Sequence, residues 1–260
     1  MDLENCLQRI NYQGSRAPTL ATLQALQLAF VYNVPFENLD IHLGRSIELS
    51  VEKTYKKIVE QERGGFCYES NTLFYALLEQ MGFEVKFVAA TMLLEMSISL
   101  EFGHMALLVN LDGEYLVDVG NGQSCLQPMQ IDSDEVVHFE QVAYRVMEYK
   151  DRYALYFKAV DAEWTPRFSF TTVSRQLHEY EHMCRITQTS PESHFTQKRV
   201  VTLAKADGRI TLADRDLEIK RSGELENQHI ESLQAYKEAL LTHFNIRLSS
   251  IPETWLSSNN

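Results

Sequence analysis

Apolar residues recur at helical spacing through the first third of the chain and at strand spacing through its middle. In "PTLATLQALQLAFVYNVPF", Leu20, Leu23, Leu26 and Ala29 or Phe30 share a face, with Pro18 and Thr19 at the helix start. Pro35 ends this helix, and the residues before it, Asn33–Val34, are expected to be extended. "SVEKTYKKIVEQERGG" predicts a second helix, with Ser50 as its cap. Val51, Tyr55, Ile58 and Val59 lie on one side, and Gly64–Gly65 form the stop. "CYESNTLFYALLEQMGF" predicts a third, with Leu73, Phe74, Leu77 and Leu78 recurring helically and Gly82 at its end.

The period then changes. "EVKFVAATMLL", "HMALLVNL", "EYLVDVG", "EQVAYRVMEYK" and "RYALYFKAV" are short and rich in β-branched or aromatic residues. Turn signals at Asp112–Gly113 and Lys150–Asp151 separate them, which predicts an antiparallel sheet or barrel. "RVVTLAKADGRITLADRDLEIKRSG" predicts further hairpins, the first turning at Asp207–Gly208. A last helix is expected over Asn227 to Phe244, with Ile230, Leu233, Leu240, Leu241 and Phe244 near one face and a frayed "LSSNN" after it. No repeat or low-complexity linker interrupts the chain, so its parts are expected to pack as one unit.

Composition narrows the class. The chain has 260 residues, 45% hydrophobic and 23% charged, as expected of an ordinary globular protein. "MDLENCLQRI" lacks the basic and apolar regions of a secretory leader, and "FVAATMLL" is too short to span a bilayer, so a cytoplasmic protein without membrane association is expected. The four cysteines, at 6, 67, 125 and 184, form no close pair and are expected to stay reduced without a structural zinc site. A formal charge of −12 argues against nucleic-acid binding, though a local patch such as Lys198–Arg199 suits a small anion.

Within "RGGFCYESN", Cys67 falls in the first turn of the third predicted helix, where free N–H groups and the helix dipole favour thiolate. The glycines before it allow a sharp turn and leave room for a substrate. A buried, inert cysteine has the same sequence appearance. A nucleophilic thiol needs a base and an orienter, and His104 and Asp118 are candidates on strands joined at Asp112–Gly113. Strand parity tests them. A strict two-residue loop sets Asp118 opposite Leu107 and turns it away from His104; an odd loop or a bulge puts both on one face. The alternative is a satisfied core acid and an edge histidine.

"HEYEH", His178 to His182, fits the H-E-x-x-H zinc pattern, with His194 as a conceivable third ligand. That motif belongs on a long helix, and this flank reaches Pro191 too soon. His42, His138, His229 and His243 show no metal spacing, so no metal is expected.

Taken together, these segments resemble the arylamine N-acetyltransferase family. The resemblance rests on "VPFENLD", on "RGGFCYESN" as a full R-G-G-x-C-x-E-x-N, on "HMALLVNLDGEYLVDVG", and on "EYEHMCRITQTSPESHF", in that order. It implies an α+β fold: a helical bundle over residues 1–84, a β-barrel over 85–195 and an α/β lid over 196–260, with a papain-like Cys-His-Asp triad. It implies Cys67 as acetyl acceptor, His104 as base and Asp118 as orienter. The reaction implied is ping-pong transfer from acetyl-CoA, a co-substrate, to an arylamine, arylhydrazine or N-hydroxyarylamine, with no resident cofactor. Phe36, Phe66, Gly103 and position 121 are expected to line the acceptor site, and Gly122, Thr189 and Ser193 to meet CoA.

Two positions depart from the family pattern. Asn121 stands where "DVG" is commonly followed by phenylalanine, which makes that wall smaller and more polar. Cys184 replaces an asparagine. A weak or inactive member that binds CoA or an aromatic ligand, and a papain-like amidase, are the alternatives the same residues allow.

Overall fold

The computed structural model describes residues 1–93, 100–123, 126–139 and 141–256. Helices α1 (Leu3–Arg9) and α2 (Leu20–Asn33) open the chain, with Asp2 and Thr19 side chains accepting first-turn N–H groups. Val34 is extended before Pro35, but Asn33, also expected to be extended, remains the last residue of α2, its Nδ2 donating to the Ile10 and Ala29 carbonyls. Strand β1 (Phe36–Glu37), α3 (Leu39–His42) and α4 (Val51–Tyr55) follow. The helix begun by α4 widens into a π-turn over Lys56–Glu60 and stops at Gln61, before the two glycines.

Helix α5 (Cys67–Gln80) is the centre of the bundle. Its polar residues Glu69, Ser70, Asn71 and Thr72 are buried along with its apolar ones, so an apolar stripe describes only part of it. Phe30 of α2 packs edge-on against Phe74, centroids 5.3 Å apart. Side chains of this size contribute about 1.5–3 kcal/mol each when fully buried.

Strands β2 (Glu84–Met92), β3 (His104–Asn110), β4 (Glu114–Val117), β5 (Met129–Gln130), β6 (Val137–Phe139), β7 (Val142–Tyr149), β8 (Arg152–Ala159) and β9 (Thr165–Phe170) form one antiparallel sheet. Its order is β5-β4-β3-β2-β9-β8-β7-β6, and β5 approaches β7, so the sheet curls into a nearly closed barrel. The faces of β3 divide its labour. Met105, Leu107 and Val109 pack on the helical core, while Ala106 and Leu108 join Phe168 and Phe170 inside the barrel.

Helices α6 (Glu181–Thr189) and α7 (His194–Gln197) lead to β10 (Val200–Lys205), β11 (Gly208–Ala213), β12 (Asp216–Arg221) and β13 (Glu224–His229). These join β1 in a second sheet, β1-β10-β11-β12-β13, so Phe36 and Glu37 pair with Thr202 and Val201. Helix α8 (Leu233–Phe244) covers this sheet through Tyr236, Leu240 and Phe244.

The last helix is shorter than its sequence pattern suggests. Residues from Asn227 belong to β13, a fully exposed edge strand, and Ser232 caps α8 six positions before Glu238. A hairpin turn with Gly223 at φ +87° starts β13, and strand pairing there prevails over helical spacing. Cys125 and the final residues 257–260 lie outside the described residues.

Candidate active site

The β3–β4 connection settles the parity question. Asn110 pairs with Glu114, leaving a three-residue loop, Leu111–Gly113, closed by the Leu111 N–H on the Gly113 carbonyl at 3.0 Å. Leu107 therefore faces Val117, and continuing the register puts Asp118 on the face of His104. The odd loop is the departure from a two-residue hairpin that a triad requires.

His104 Nε2 and Asp118 Oδ2 are 2.8 Å apart, and Cys67 lines the same cleft close enough to act on the imidazole's charge. With Nε2 engaged by the carboxylate, Nδ1 is the nitrogen left for sulfur. All three residues are buried. Burial works against the charged imidazole, but the Asp118 charge and hydrogen bond, and then Cys67, outweigh it and hold His104 up at about 10. Burial likewise raises Asp118, yet the His104 charge and hydrogen bonds from His104, Asn71 and the Gly120 N–H keep it below its ordinary value.

Local backbone positions the sulfur. Phe66 precedes α5 in extended conformation and supplies no side-chain cap; its own N–H is taken by Glu69 Oε2 at 3.3 Å. The first-turn N–H of Cys67 thus has no capping side chain. Gly64 permits close backbone approach to Pro35, whose carbonyl would lie 1.9 Å from an added Cβ. The Gly-Gly pair therefore serves packing against β1 rather than access for a ligand. Gly120 packs on the other side, where a Cβ would meet the Cys67 Cα at 2.6 Å.

Beneath the site lies a buried ion cluster that the sequence reading missed. Arg63 bonds Glu37 (2.7 Å) and Asp40 (3.1 Å), and Lys57 bonds Glu69 (2.8 Å) and Asp40 (2.9 Å). Burial opposes the Lys57 charge, but the facing carboxylates outweigh it and raise its pKa; burial raises Glu69. The signal was present in the acids of "FENLD" and in the Arg and Glu that flank Cys67.

A cleft of about 450 Å³ opens over Cys67 and His104. Phe36, Gly103, Asn121, Gly122 and Ser193 line it, as do Arg167, Phe195 and Lys198, three residues not singled out for the acceptor wall. Phe66 does not. It is fully buried and packs edge-on against Phe195 (5.9 Å), which in turn meets Phe36 at 6.1 Å, so it supports the aromatic wall from behind. Thr189 is exposed on α6 and outside the cleft, its hydroxyl donating to the Arg185 carbonyl at 2.7 Å. The Ser193 hydroxyl donates to the Thr187 carbonyl and caps α7. Arg199 turns away to Trp255 and Asp214, leaving Lys198 as the exposed member of that pair. His178 and His182 are exposed on a 3₁₀ turn and on α6, respectively. Cys184 is buried, accepting from Gln188 at 3.6 Å.

Comparison with known proteins agrees with this architecture. The N-acetyltransferase family pattern matches residues 19–253. An arylamine N-acetyltransferase of Mycolicibacterium smegmatis is 34% identical over 259 residues, covering 96% of this chain and 94% of its own. The chain belongs to the arylamine N-acetyltransferase family. Members of this family are acyltransferases, and the solved structures it resembles bear the same name. The Mycobacterium marinum arylamine N-acetyltransferase in complex with CoA superposes with a TM-score of 0.86 at 31% identity, over 94% of this chain and 93% of that one. The enzyme from M. tuberculosis gives 0.89 at 30% identity, over 99% and 100%. Among the described residues no helix is long and apolar enough to cross a membrane.

Proposed function

We propose that this acyltransferase moves an acetyl group from acetyl-CoA to an arylamine in two steps through Cys67. In the first, the Cys67 thiolate attacks the thioester carbonyl while His104 holds the proton as imidazolium. The tetrahedral intermediate collapses, the carbon–sulfur bond to CoA breaks, and CoA leaves with a proton from His104. In the second, the amine attacks acetyl-Cys67, His104 takes the amine proton, and the Cys67 thiolate departs.

The observation that carries this reading is the position of His104. One nitrogen is held by Asp118 at 2.8 Å, and the ring shares the cleft lining with Cys67. Asp118 fixes the tautomer and balances the imidazolium. The Cys67 N–H, in the first turn of α5 without a side-chain cap from Phe66, is the donor assigned to the developing oxyanion, and a donor of this kind is worth roughly 3 kcal/mol. Gly122 and Ser193 are the expected CoA neighbours that line the cleft, and exposed Lys198 is the cation open to a CoA phosphate. A cytoplasmic setting suits a reaction that draws on acetyl-CoA. Arylhydrazines and N-hydroxyarylamines present the same nucleophilic nitrogen as arylamines.

Initial rates test the two-step order. Varying acetyl-CoA at several fixed amine concentrations is expected to give parallel double-reciprocal lines. Intersecting lines contradict a covalent acetyl-enzyme.

A further inference from the structure

The two-step exchange leaves Arg167 unused. This residue of β9 lines the same cleft as Cys67 and His104, and its Nε and Nη2 both donate to Asn121 Oδ1, at 3.0 and 2.8 Å. A guanidinium fork is matched by a carboxylate or phosphate; here its hydrogen bonds go to a single neutral amide oxygen, with the Phe157 ring 5.9 Å from its carbon. Among the described residues no carboxylate makes an ion pair with it. The acidic groups whose fields reach it are the Tyr144 phenol and then Asp118, the latter already bonded by His104, Asn71 and the Gly120 N–H.

Asn121 adds a second unanswered donor. A guanidinium carries only donors, so the amide must turn its oxygen to Arg167 and its Nδ2 away. That Nδ2 is buried without a hydrogen-bond partner. A charged donor and a neutral one thus adjoin at the position where the family pattern has an aromatic ring. An orphaned buried donor costs about 1–3 kcal/mol, and it keeps the amide oxygen committed to the Arg167 fork, the charged group an anion in the cleft would meet. A chain with a formal charge of −12 has no general excess of cations to leave unpaired.

We propose that Arg167, braced by Asn121, selects amine acceptors that carry a carboxylate remote from the amine nitrogen. This rests on the acetyl-transfer reading of the same cleft. A CoA phosphate has related chemistry, but exposed Lys198 is the cation at the solvent side of the cleft, whereas Arg167 is only partly exposed and is held by a cleft-wall residue.

The experiment compares 4-aminobenzoate with its neutral analogue 4-aminobenzamide as acceptors, and follows CoA release from acetyl-CoA alone as a separate arm. Wild type is expected to favour the carboxylate in kcat/KM. Arg167→Gln is expected to lower that ratio by roughly tenfold or more, the size of a lost charged hydrogen bond. Should the glutamine variant fail to fold, Arg167→Lys, which keeps the charge but loses the fork, must still lower the ratio. An unchanged ratio overturns the proposal. So does a variant that slows CoA release from acetyl-CoA alone while the ratio stands, since Arg167 then serves a donor phosphate. A wild type that releases CoA yet ignores the carboxylate overturns the proposal only; one that releases no CoA with either amine overturns the acetyl-transfer reading as well.

Discussion

Asn71 and Asp118 are joined across two elements that are far apart in the chain. The Asn71 amide donates to Asp118 Oδ1 at 3.0 Å and to the Met105 carbonyl at 2.7 Å, while its oxygen accepts the Val119 N–H at 3.1 Å. One side chain, a single helical turn after Cys67, thereby fixes the sulfur's helix to both the histidine strand and the aspartate loop. Asparagine supplies both donors and the acceptor, which aspartate does not.

Asn71→Ala is expected to leave these groups buried and unpaired, lowering stability by about 1–3 kcal/mol in urea denaturation. Asn71→Asp is expected to be worse for catalysis, because a second carboxylate beside Asp118 repels it. Equal kcat/KM in the aspartate variant and wild type would show that this tie does not matter to the chemistry.

The pH behaviour follows from His104. Its folded value of about 10 lies above the ordinary 6.5, so its ion pair with Asp118 stabilises the fold fully below pH 6.5 and loses that contribution as pH rises toward 10. Asp118 has the opposite sign: its contribution is present above the ordinary 3.8 and is lost as pH falls through its depressed folded value. The stability gap between wild type and His104→Gln should therefore narrow from pH 6.5 upward. NMR of the imidazole is expected to show it still protonated at neutral pH, and a midpoint near 6.5 would contradict the assigned pairing.

Gly120→Ala is expected to displace the start of α5, because the new Cβ meets Cys67 Cα at 2.6 Å and its carbonyl at 2.9 Å. A nucleophile moved by about an ångström costs on the order of 100-fold in rate. The loss should appear in CoA release from acetyl-CoA alone, before any amine binds.

Lys57→Met removes the cation shared by Asp40 and Glu69 and leaves these buried acids short of a counter-charge. The expected loss is about 3–5 kcal/mol, read from the denaturation midpoint. A loss no larger than that of an exposed lysine would show that the cluster relaxes or takes up protons.

Several parts of this arrangement were legible in the chain. Thr19 and Pro35 bracket α2 as cap and stop, and the change from helical to strand spacing after Phe83 marks where the bundle gives way to the barrel. Parity alone showed that Asp118 and His104 share a face only if the Asp112–Gly113 turn is odd, and the extra residue is Leu111. Other features depend on pairings that spacing does not encode. Glu37, Asp40, Lys57, Arg63 and Glu69 come together only when β1 lies beside the Gly-Gly turn, and β13 is a strand because β12 offers it an edge. Phe66 looks like a wall residue by its place next to Cys67, but the N-cap geometry turns it into the core.

The claim that Cys67 carries the acetyl group is tested most directly by mass spectrometry of the protein after incubation with acetyl-CoA and no amine. A single acetyl increment is expected, mapped to the peptide containing Cys67, released on addition of an arylamine, and absent in Cys67→Ser. An unmodified wild-type Cys67, with no CoA set free, would contradict it.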